Sequence, residues 1–531
     1  MAPNLADRFE AMADAAPRRT ALVDDDRRLT YGELDAEANR LAHHLASHGV
    51  GRDDWVGLVA RNSAPFVVSL LACLKLRAVP VNVNYRYTRA ELAEIFDDSG
   101  AVALVVDEDV VGECAVAIAG AAEPHHVVVI GDDVIGDGGN GAALADRATT
   151  YADAVGSGSP ARDFGPRSGD DVNVLYTGGT TGRPKGVVWR QEDTYLLCTG
   201  GNGNDAAVAA ARESPDGTSV VLPAGPFVHS SSQWNLLGAL LNGRTVVALD
   251  RFDAAKVWEL CDREQVSYLS VTGDAMVRPL VDALGPDRPP PASIQVVSSS
   301  GGLLSPSMKE ALARAFPGAA VFDAVGSTET GLLGTAPATA ESGTSPELRV
   351  TAGPGTLVVD ETGRPVAPGE TGLLAKGGRI PLRYHNDPEK TARTFITHAG
   401  SRYAIPGDAA RLEPDGSIAV LGRQSSCINT GGEKVYPNEV ESVLKTHPDV
   451  RDCIVLGLPD DRWGQRVAAI VEPRPGGVAL ADLQAHSRAA LAGYKVPRAL
   501  CVVPRIERQP SGKPDNRWTA TVAESGAWVE G

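Results

Sequence analysis

One segment gathers residues suited to holding a polyphosphate: Tyr176-Thr177-Gly178-Gly179-Thr180-Thr181-Gly182-Arg183-Pro184-Lys185-Gly186, between the apolar runs VNVLY and VVW. Its glycines let backbone N–H groups converge without Cβ obstruction, forming an anion nest, while threonine hydroxyls and Lys185 add donors and charge. Gly186 follows Lys185 where a Walker A loop would carry Ser or Thr, so the motif is of another kind. A plain polar hairpin loop is the alternative, and so long a biased run argues against it. Lysine is also scarce, 10 against 40 arginines, which makes a lysine in a glycine-rich motif hard to dismiss as filler.

Three further groups could do chemistry. Glu329 follows the turn residues Gly326-Ser327-Thr328, and its carboxylate suits a hard cation such as Mg²⁺ unless it is only a solvated loop residue. Asp408 and Arg423 are equidistant from the centre of Asp415-Gly416, so a hairpin closing there makes them cross-strand neighbours. An exposed ion pair, worth at most about 1 kcal/mol, is the simpler account of that pair. Lys513 stands in the loop Pro510-Ser511-Gly512-Lys513, placed either to reach a cleft as a point charge or to lie idle at the surface.

The elements that must position these groups alternate. Thr30-Tyr31-Gly32-Glu33 and Thr88-Arg89-Ala90-Glu91 have capping-box spacing, ahead of helical runs that end near Gly49 and Gly100. AVALVVD reads as a buried strand, and Ser305-Pro306 opens a helix that should stop at Pro317-Gly318. This alternation predicts an α/β fold with mixed, mainly parallel sheets in a large N-terminal domain. Residues 131–170 read as loops and an insertion, within which the GxGxxG match at 136–141 is a coincidence of composition. A boundary falls near 422. Beyond it YPNEVESVLKTH, VRDCIVLGLPD and a helix over LADLQAHSRAALAGY, to Tyr494, compose a small α+β domain, giving domains 1–422 and 426–531.

Composition narrows the class. At 531 residues and 43% hydrophobic content the chain can bury a sizeable core. A formal charge of −17 disfavours nonspecific nucleic-acid binding. There is no apolar run long enough for an integral membrane segment, and the N-terminus lacks the pattern of a signal peptide. Seven scattered cysteines form no CxxC pair and read as reduced thiols of a cytoplasmic protein.

Taken in order, these motifs resemble the adenylate-forming enzymes, a family that includes acyl-CoA synthetases, firefly luciferase and nonribosomal adenylation domains. The resemblance covers nearly the whole chain. It assigns Thr177, Gly178, Gly179, Thr180, Thr181 and Lys185 to the phosphates of ATP, and Gly326, Ser327 and Thr328 to a second nucleotide motif with Glu329 on Mg²⁺. It gives Asp408 and Arg423 to the ribose, and makes Lys513 the catalytic lysine bridging carboxylate and α-phosphate beside Thr328 and Glu329. Ser425 would be the hinge of a mobile C-terminal domain, where many relatives carry aspartate. Gly431, Gly432 and Lys434 would line the coenzyme A tunnel.

Val325 stands where many relatives place an aromatic against adenine, which leaves the base to apolar contact and to Ser300-Gly301-Gly302. His229 and Trp234, with Gly301, resemble the family's acyl-pocket segment, although a core histidine explains His229 equally well.

The expected activity is an ATP-dependent carboxylate–CoA ligase, closest to bacterial fatty-acid or steroid-side-chain CoA ligases. Its partners would be a small carboxylic acid and CoA, with homodimerisation left open. One rival keeps adenylation and passes the activated group to an amine or carrier, or activates nitrite for diazotisation. A silent nucleotide-binding scaffold on the same fold is a remoter rival.

Overall fold

The computed structural model describes residues 3–119, 124–132, 146–177, 184–214, 217, 219–285, 288–302, 304–339, 348–423, 426–430, 433–460, 462–509 and 512–530. Its contacts divide the chain into two compact units, residues 1–270 with 379–392 and residues 271–378 with 393–531.

In the first unit an eight-stranded sheet runs in the order Arg383–Tyr384, Lys185–Arg190, Val172–Thr177, Val79–Asn82, Trp55–Val59, Ala103–Asp107, His126–Ile130, Ala148–Thr150. From Val172–Thr177 onward in that order, neighbours pair in parallel, and the strands are Val- and Leu-rich and largely buried except for the edge strand Ala148–Thr150. The strand Val172–Thr177 turns back antiparallel into Lys185–Arg190. A second set of strands pairs in the order Arg27–Thr30, Thr20–Asp24, Thr245–Ala248, Val220–Pro223, Tyr268–Val271.

Helix starts follow the sequence signals. Thr30 and Glu33 form the full capping box of Tyr31–Ser47, and the helix Arg89–Ser99 ends at Gly100 with φ +59°. The tract expected to be loop contains the strand Ala148–Thr150 and the helix Tyr151–Ser157. Their signal was a cap: the Thr150 hydroxyl accepts from Asp153 N–H at 3.1 Å. The GxGxxG tract at 136–141 lies outside the described residues.

The first three helices are pinned by charge as well as packing. Lys75 is fully buried on Ala64–Leu76, with Nζ 2.5 Å from Glu10 Oε1 and 2.7 Å from Asp35 Oδ1. Burial pushes the Glu10 carboxyl up, but Lys75 and Arg167 outweigh it and hold it below the usual range. His44 and His126 meet through their Nε2 atoms at 2.9 Å. Burial pulls their pKa values down to about 4 and about 3, so neutral rings share that hydrogen bond.

The second unit is largely antiparallel. Val296–Ser300 pairs in parallel with Ala320–Ser327, after which successive neighbours in the sheet pair antiparallel. Ala320–Ser327 meets Gly331–Pro337, and Asp408–Leu412 meets Ile418–Arg423 across a turn with Gly416 at φ +83°. The remaining strands, from Ile428–Thr430 to Trp528–Glu530, form a six-stranded sheet built on the long pair Val450–Asp460 and Gly464–Pro473. Helices Pro437–Leu444, Leu480–Arg488 and Asn516–Ser525 accompany it. The helix expected through Tyr494 stops at Arg488, where the chain turns and buries Leu491 in this core.

Lys75→Met should cost about 3 kcal/mol of stability, since the buried Asp35 and the half-buried Glu10 lose a shared cation while Arg162 and Arg167 remain. The measurement is the urea midpoint of the variant against wild type, and an unchanged midpoint would remove Lys75 from the fold's supports.

Candidate active site

In the first unit the glycine-rich motif lies between two antiparallel strands. Thr177 pairs with Lys185 and Tyr176 with Gly186, so the strands bring the two ends of the motif together. Gly178, Gly179, Thr180 and Thr181 lie outside the described residues. The base of the hairpin is fixed by Asn82, whose Oδ1 accepts from Tyr176 N–H at 2.7 Å and whose amide donates to Tyr176 O at 3.2 Å. A Cβ on Gly186 would lie 3.0 Å from the Tyr176 ring, itself tied by its hydroxyl to Asp98 at 2.6 Å.

Lys185 is paired: Nζ is 2.7 Å from Asp387 Oδ2. That contact, chiefly, holds the Asp387 carboxyl below the usual range. Asp387 also opens the helix Pro388–Thr394, accepting from Lys390 N–H at 2.9 Å. No spacing or motif points to this partner; its one local signal is an Asp-Pro helix start.

His229 caps the helix Ser230–Leu241 without a side-chain capping bond and is half-buried. Trp234, one turn on, meets Trp189 edge-on at 5.8 Å, and its buried indole N–H reaches no acceptor among the described residues. An unmet donor in that position is able to take a polar group of a ligand.

The second unit holds the other motifs. Between Ser327 and Gly331 a tight turn is closed by Thr330, whose Oγ1 accepts from Ser327 N–H at 3.1 Å. A Cβ on Gly326 would fall 2.2 Å from the Gly331 carbonyl oxygen, so only glycine fits there. The turn presents Thr328 and Glu329 at 7% and 8% exposure. Glu329 is therefore not a solvated loop carboxylate. Val325, just before, leans on the apolar group around Leu333 and Val350.

Asp408 and Arg423 are register partners. The turn itself is centred on Asp415, since Leu412 pairs with Ile418, and an irregularity between Ala409 and Ala410 shifts the register by one to restore the expected pair. The hinge residue Ser425 and the glycines Gly431 and Gly432 lie outside the described residues. Lys434 is exposed on Glu433–Val435 and pairs in register with Asn429.

Lys513 is exposed at the closing end of a short loop tied by Gln509 N–H to Lys513 O at 2.8 Å and by Arg508 to Gly512 O at 3.1 Å. Gly512 has φ +75°, and a Cβ on it would stand 3.2 Å from Thr272 O and from Ala275 Cβ. The same segment supports Ser300-Gly301-Gly302: Ser299 Oγ accepts from Gly273 N–H at 3.1 Å, and Gly302 lies against Thr272 and Gly273. Thus Thr272–Ala275 joins the lysine loop to the expected adenine segment.

A family model described as AMP-binding enzyme matches residues 9–382, and its C-terminal domain model matches residues 439–513. The chain belongs to the AMP-binding enzyme family. A relative from Mycobacterium marinum, a medium/long-chain-fatty-acid–CoA/3-oxocholest-4-en-26-oate–CoA ligase, is 43% identical over 99% of this chain and 97% of its own. A 3-oxocholest-4-en-26-oate–CoA ligase of Rhodococcus rhodochrous is 41% identical over 98% of this chain and 95% of its own.

Among solved structures, an anthranilate CoA ligase in complex with anthranoyl-AMP matches with a TM-score of 0.85 at 22% identity, covering 98% of this chain and 97% of that one. An amide bond synthetase from Marinactinospora thermotolerans matches at 0.78 and 22%, covering 97% and 99%. Both have the AMP-binding fold: a large N-terminal α/β domain and a smaller C-terminal domain.

One carboxylate on the second motif's own strand stands out. Asp323 is 2% exposed, 3.5 Å from Lys309 Nζ, with the Ser299 hydroxyl and Asp274 also acting on it. Burial pushes its pKa up to about 6 despite Lys309. Between the usual carboxylate range and pH 6 the unfolded chain has lost this proton while the folded chain keeps it. Stability must therefore fall as pH rises through that window, by on the order of 3 kcal/mol. Asp323→Asn should flatten that decline between pH 4 and 7 in paired denaturation curves; identical slopes would refute the assignment.

Proposed function

We propose that the protein is an AMP-forming carboxylate–CoA ligase acting on a bulky, hydrophobic acid. The observation that carries the reading is likeness along the whole length to relatives named as fatty-acid and 3-oxocholest-4-en-26-oate CoA ligases. The fold does not choose between acceptors, since CoA ligases and an amide bond synthetase share it.

In the first half-reaction an acid carboxylate oxygen attacks the α-phosphorus of ATP, and the bond to the β-phosphate bridge breaks to release pyrophosphate. In the second, the CoA sulfur attacks the acyl carbon, AMP leaves, and the thiol proton passes to solvent. Chemistry of this kind asks protein for positioning and charge, not covalent help. Thr177 to Thr181 with Lys185 receive the phosphates, Asp387 yielding Lys185 to them. Gly326, Ser327 and Thr328 line the nucleotide, and Asp408 with Arg423 hold the ribose. Ser300, Gly301 and Gly302 border adenine.

Glu329 offers a hard oxygen donor of the kind Mg²⁺ takes, and the ion would neutralise charge on the polyphosphate. Lys513 bridges carboxylate and α-phosphate as charge builds between them. Residues 426–531 are then a mobile domain on a hinge at Ser425, with Gly431, Gly432 and Lys434 beside the pantetheine arm. His229, Trp234 and Gly301 border the acid. Seven free thiols, most of them buried, support a cytoplasmic setting.

The deciding experiment is pyrophosphate release from Mg-ATP across fatty, aryl and steroid acids, plus nitrite, with and without CoA. Acid-dependent release with a CoA thioester found by mass is the expected result; release without thioester points to another acceptor. Lys513→Ala should cut adenylate formation by about 100-fold or more while retaining thioester formation from supplied acyl-adenylate. Loss of both half-reactions with the fold intact would defeat that division of labour. Glu329→Gln should raise the Mg²⁺ needed for half-maximal turnover at least about tenfold, and an unshifted Mg²⁺ titration would take Glu329 off the metal.

A further inference from the structure

Lys445 carries a buried charge that the proposed chemistry does not use. It ends the helix Pro437–Leu444, its side chain 2% exposed, with Nζ 3.4 Å from Asp274 Oδ2 and 3.3 Å from Asp452 Oδ1. Burial pulls its pKa down, but the two carboxylates outweigh burial and hold it above the usual lysine value. Asp452 in turn takes the Arg508 guanidinium in a fork, Nε to Oδ2 at 2.7 Å and Nη2 to Oδ1 at 2.8 Å. Arg508 donates onward to the carbonyl of Gly512, next to Lys513. A continuous path of charge runs from Asp274 to the backbone of the lysine loop.

The links differ in kind. Asp452 and Arg508 make short, two-point, charge-assisted bonds of the sort that stay made. Asp274 Oδ2 has only longer ion contacts, 3.4 Å to Lys445 and 3.6 Å to Arg278, and no hydrogen bond among the described residues. Its other oxygen accepts from Ser305 N–H at 2.7 Å, which fixes the carboxylate to its own segment. If the Asp274–Lys445 contact parts, Lys445 keeps Asp452 and Asp274 keeps Arg278. Neither is left as an orphaned buried ion, the outcome that makes most buried pairs costly to break. The long link is the separable one. It also lies in Thr272–Ala275, the surface on which Gly512 rests.

We propose that Asp274 and Lys445 are positioning residues for adenylation, a releasable ionic dock that sets the Lys513 loop against Thr272–Ala275. This rests on the ligase reading, in which Lys513 serves the first half-reaction and is withdrawn for the second. The dock holds the lysine loop for the first and lets go for the second at little cost in unpaired charge.

The test uses Asp274→Asn, which preserves the acceptor for Ser305 N–H, and Lys445→Met, which keeps the side-chain length. Each should slow acid-dependent pyrophosphate release by about 10- to 100-fold, the scale of a displaced catalytic group. Each should leave thioester formation from supplied acyl-adenylate within about twofold of wild type. In a Lys513→Ala background, measured by single-turnover adenylate formation, Asp274→Asn should add no further loss, because it acts through that lysine. Equal loss of both half-reactions, no change in the first, or a full additional loss in the Lys513→Ala background would each overturn the proposal. A wild-type protein that releases no pyrophosphate with any acid would instead overturn the ligase reading itself.

Discussion

Asp452 is the point at which the C-terminal sheet and its lysine loop become one mechanical object. Its carboxylate sits on Val450–Asp460 with Lys445 and Arg508 both turned onto it, and despite the cost of burial its pKa lies far below the ordinary range because of those two cations. Charge around it balances: Asp452, Asp274 and Glu441 face Lys445, Arg508 and Arg278. Glu441 is wholly buried and pushed upward by desolvation, yet it accepts from Val455 N–H at 2.9 Å and so fastens helix Pro437–Leu444 to the same strand. A network of this kind adds little net stability over a well-packed apolar core, but its doubled contacts leave Asp274 and Asp452 each a cation when one link parts. The loop bearing Lys513 consequently inherits its place from a strand and a helix far from it in sequence.

Glycine does the complementary work at each motif. Gly186 makes room for the Tyr176 ring, Gly326 for the Gly331 carbonyl, and Gly512 for the Thr272 carbonyl and the Ala275 side chain. A Cβ would collide outright at Gly326 and be crowded at Gly186 and Gly512, and near each glycine stand the side chains the sequence singled out: Lys185, then Thr328 and Glu329, then Lys513. Close approach and display are two results of one constraint. A methyl group at 2.2 Å from an oxygen cannot be relieved by a rotamer change, so the Gly326 position is intolerant for steric reasons alone.

What the sequence made legible was local. Capping boxes at Thr30 and Thr88, the hairpin around Asp415-Gly416 and the glycine-rich motif between two strands all depend on residues a few positions apart. The Asp408–Arg423 pairing was legible by counting from the turn, although it holds only because an irregularity offsets a turn centred half a residue away. The Ala148–Thr150 strand and the helix after it were missed because glycine- and aspartate-rich neighbours masked a short threonine cap. Charge partners were not legible. Asp387 against Lys185, and Asp274 against Lys445, are brought together by tertiary structure, and no periodicity or spacing announces them.

The same distinction explains why activation chemistry is easier to read in this family than substrate choice. Binding a triphosphate and stabilising charge at phosphorus requires backbone nests, one lysine and one carboxylate, each written in a few contiguous residues. Choosing an acid is a difference between affinities spread over a pocket wall, where one methylene shifts the balance by only a few kcal/mol. The segment expected to form that wall is mostly buried and apolar around Phe227, Val228, Leu236 and Leu237, which suits a hydrophobic acid without naming one. Among the polar groups of that segment, the buried Gln233 amide donates to Phe227 O at 3.2 Å, whereas the buried indole N–H of Trp234 meets no acceptor among the described residues. A donor left unmet in apolar surroundings favours a ligand carrying an oxygen at that spot over its pure hydrocarbon analogue.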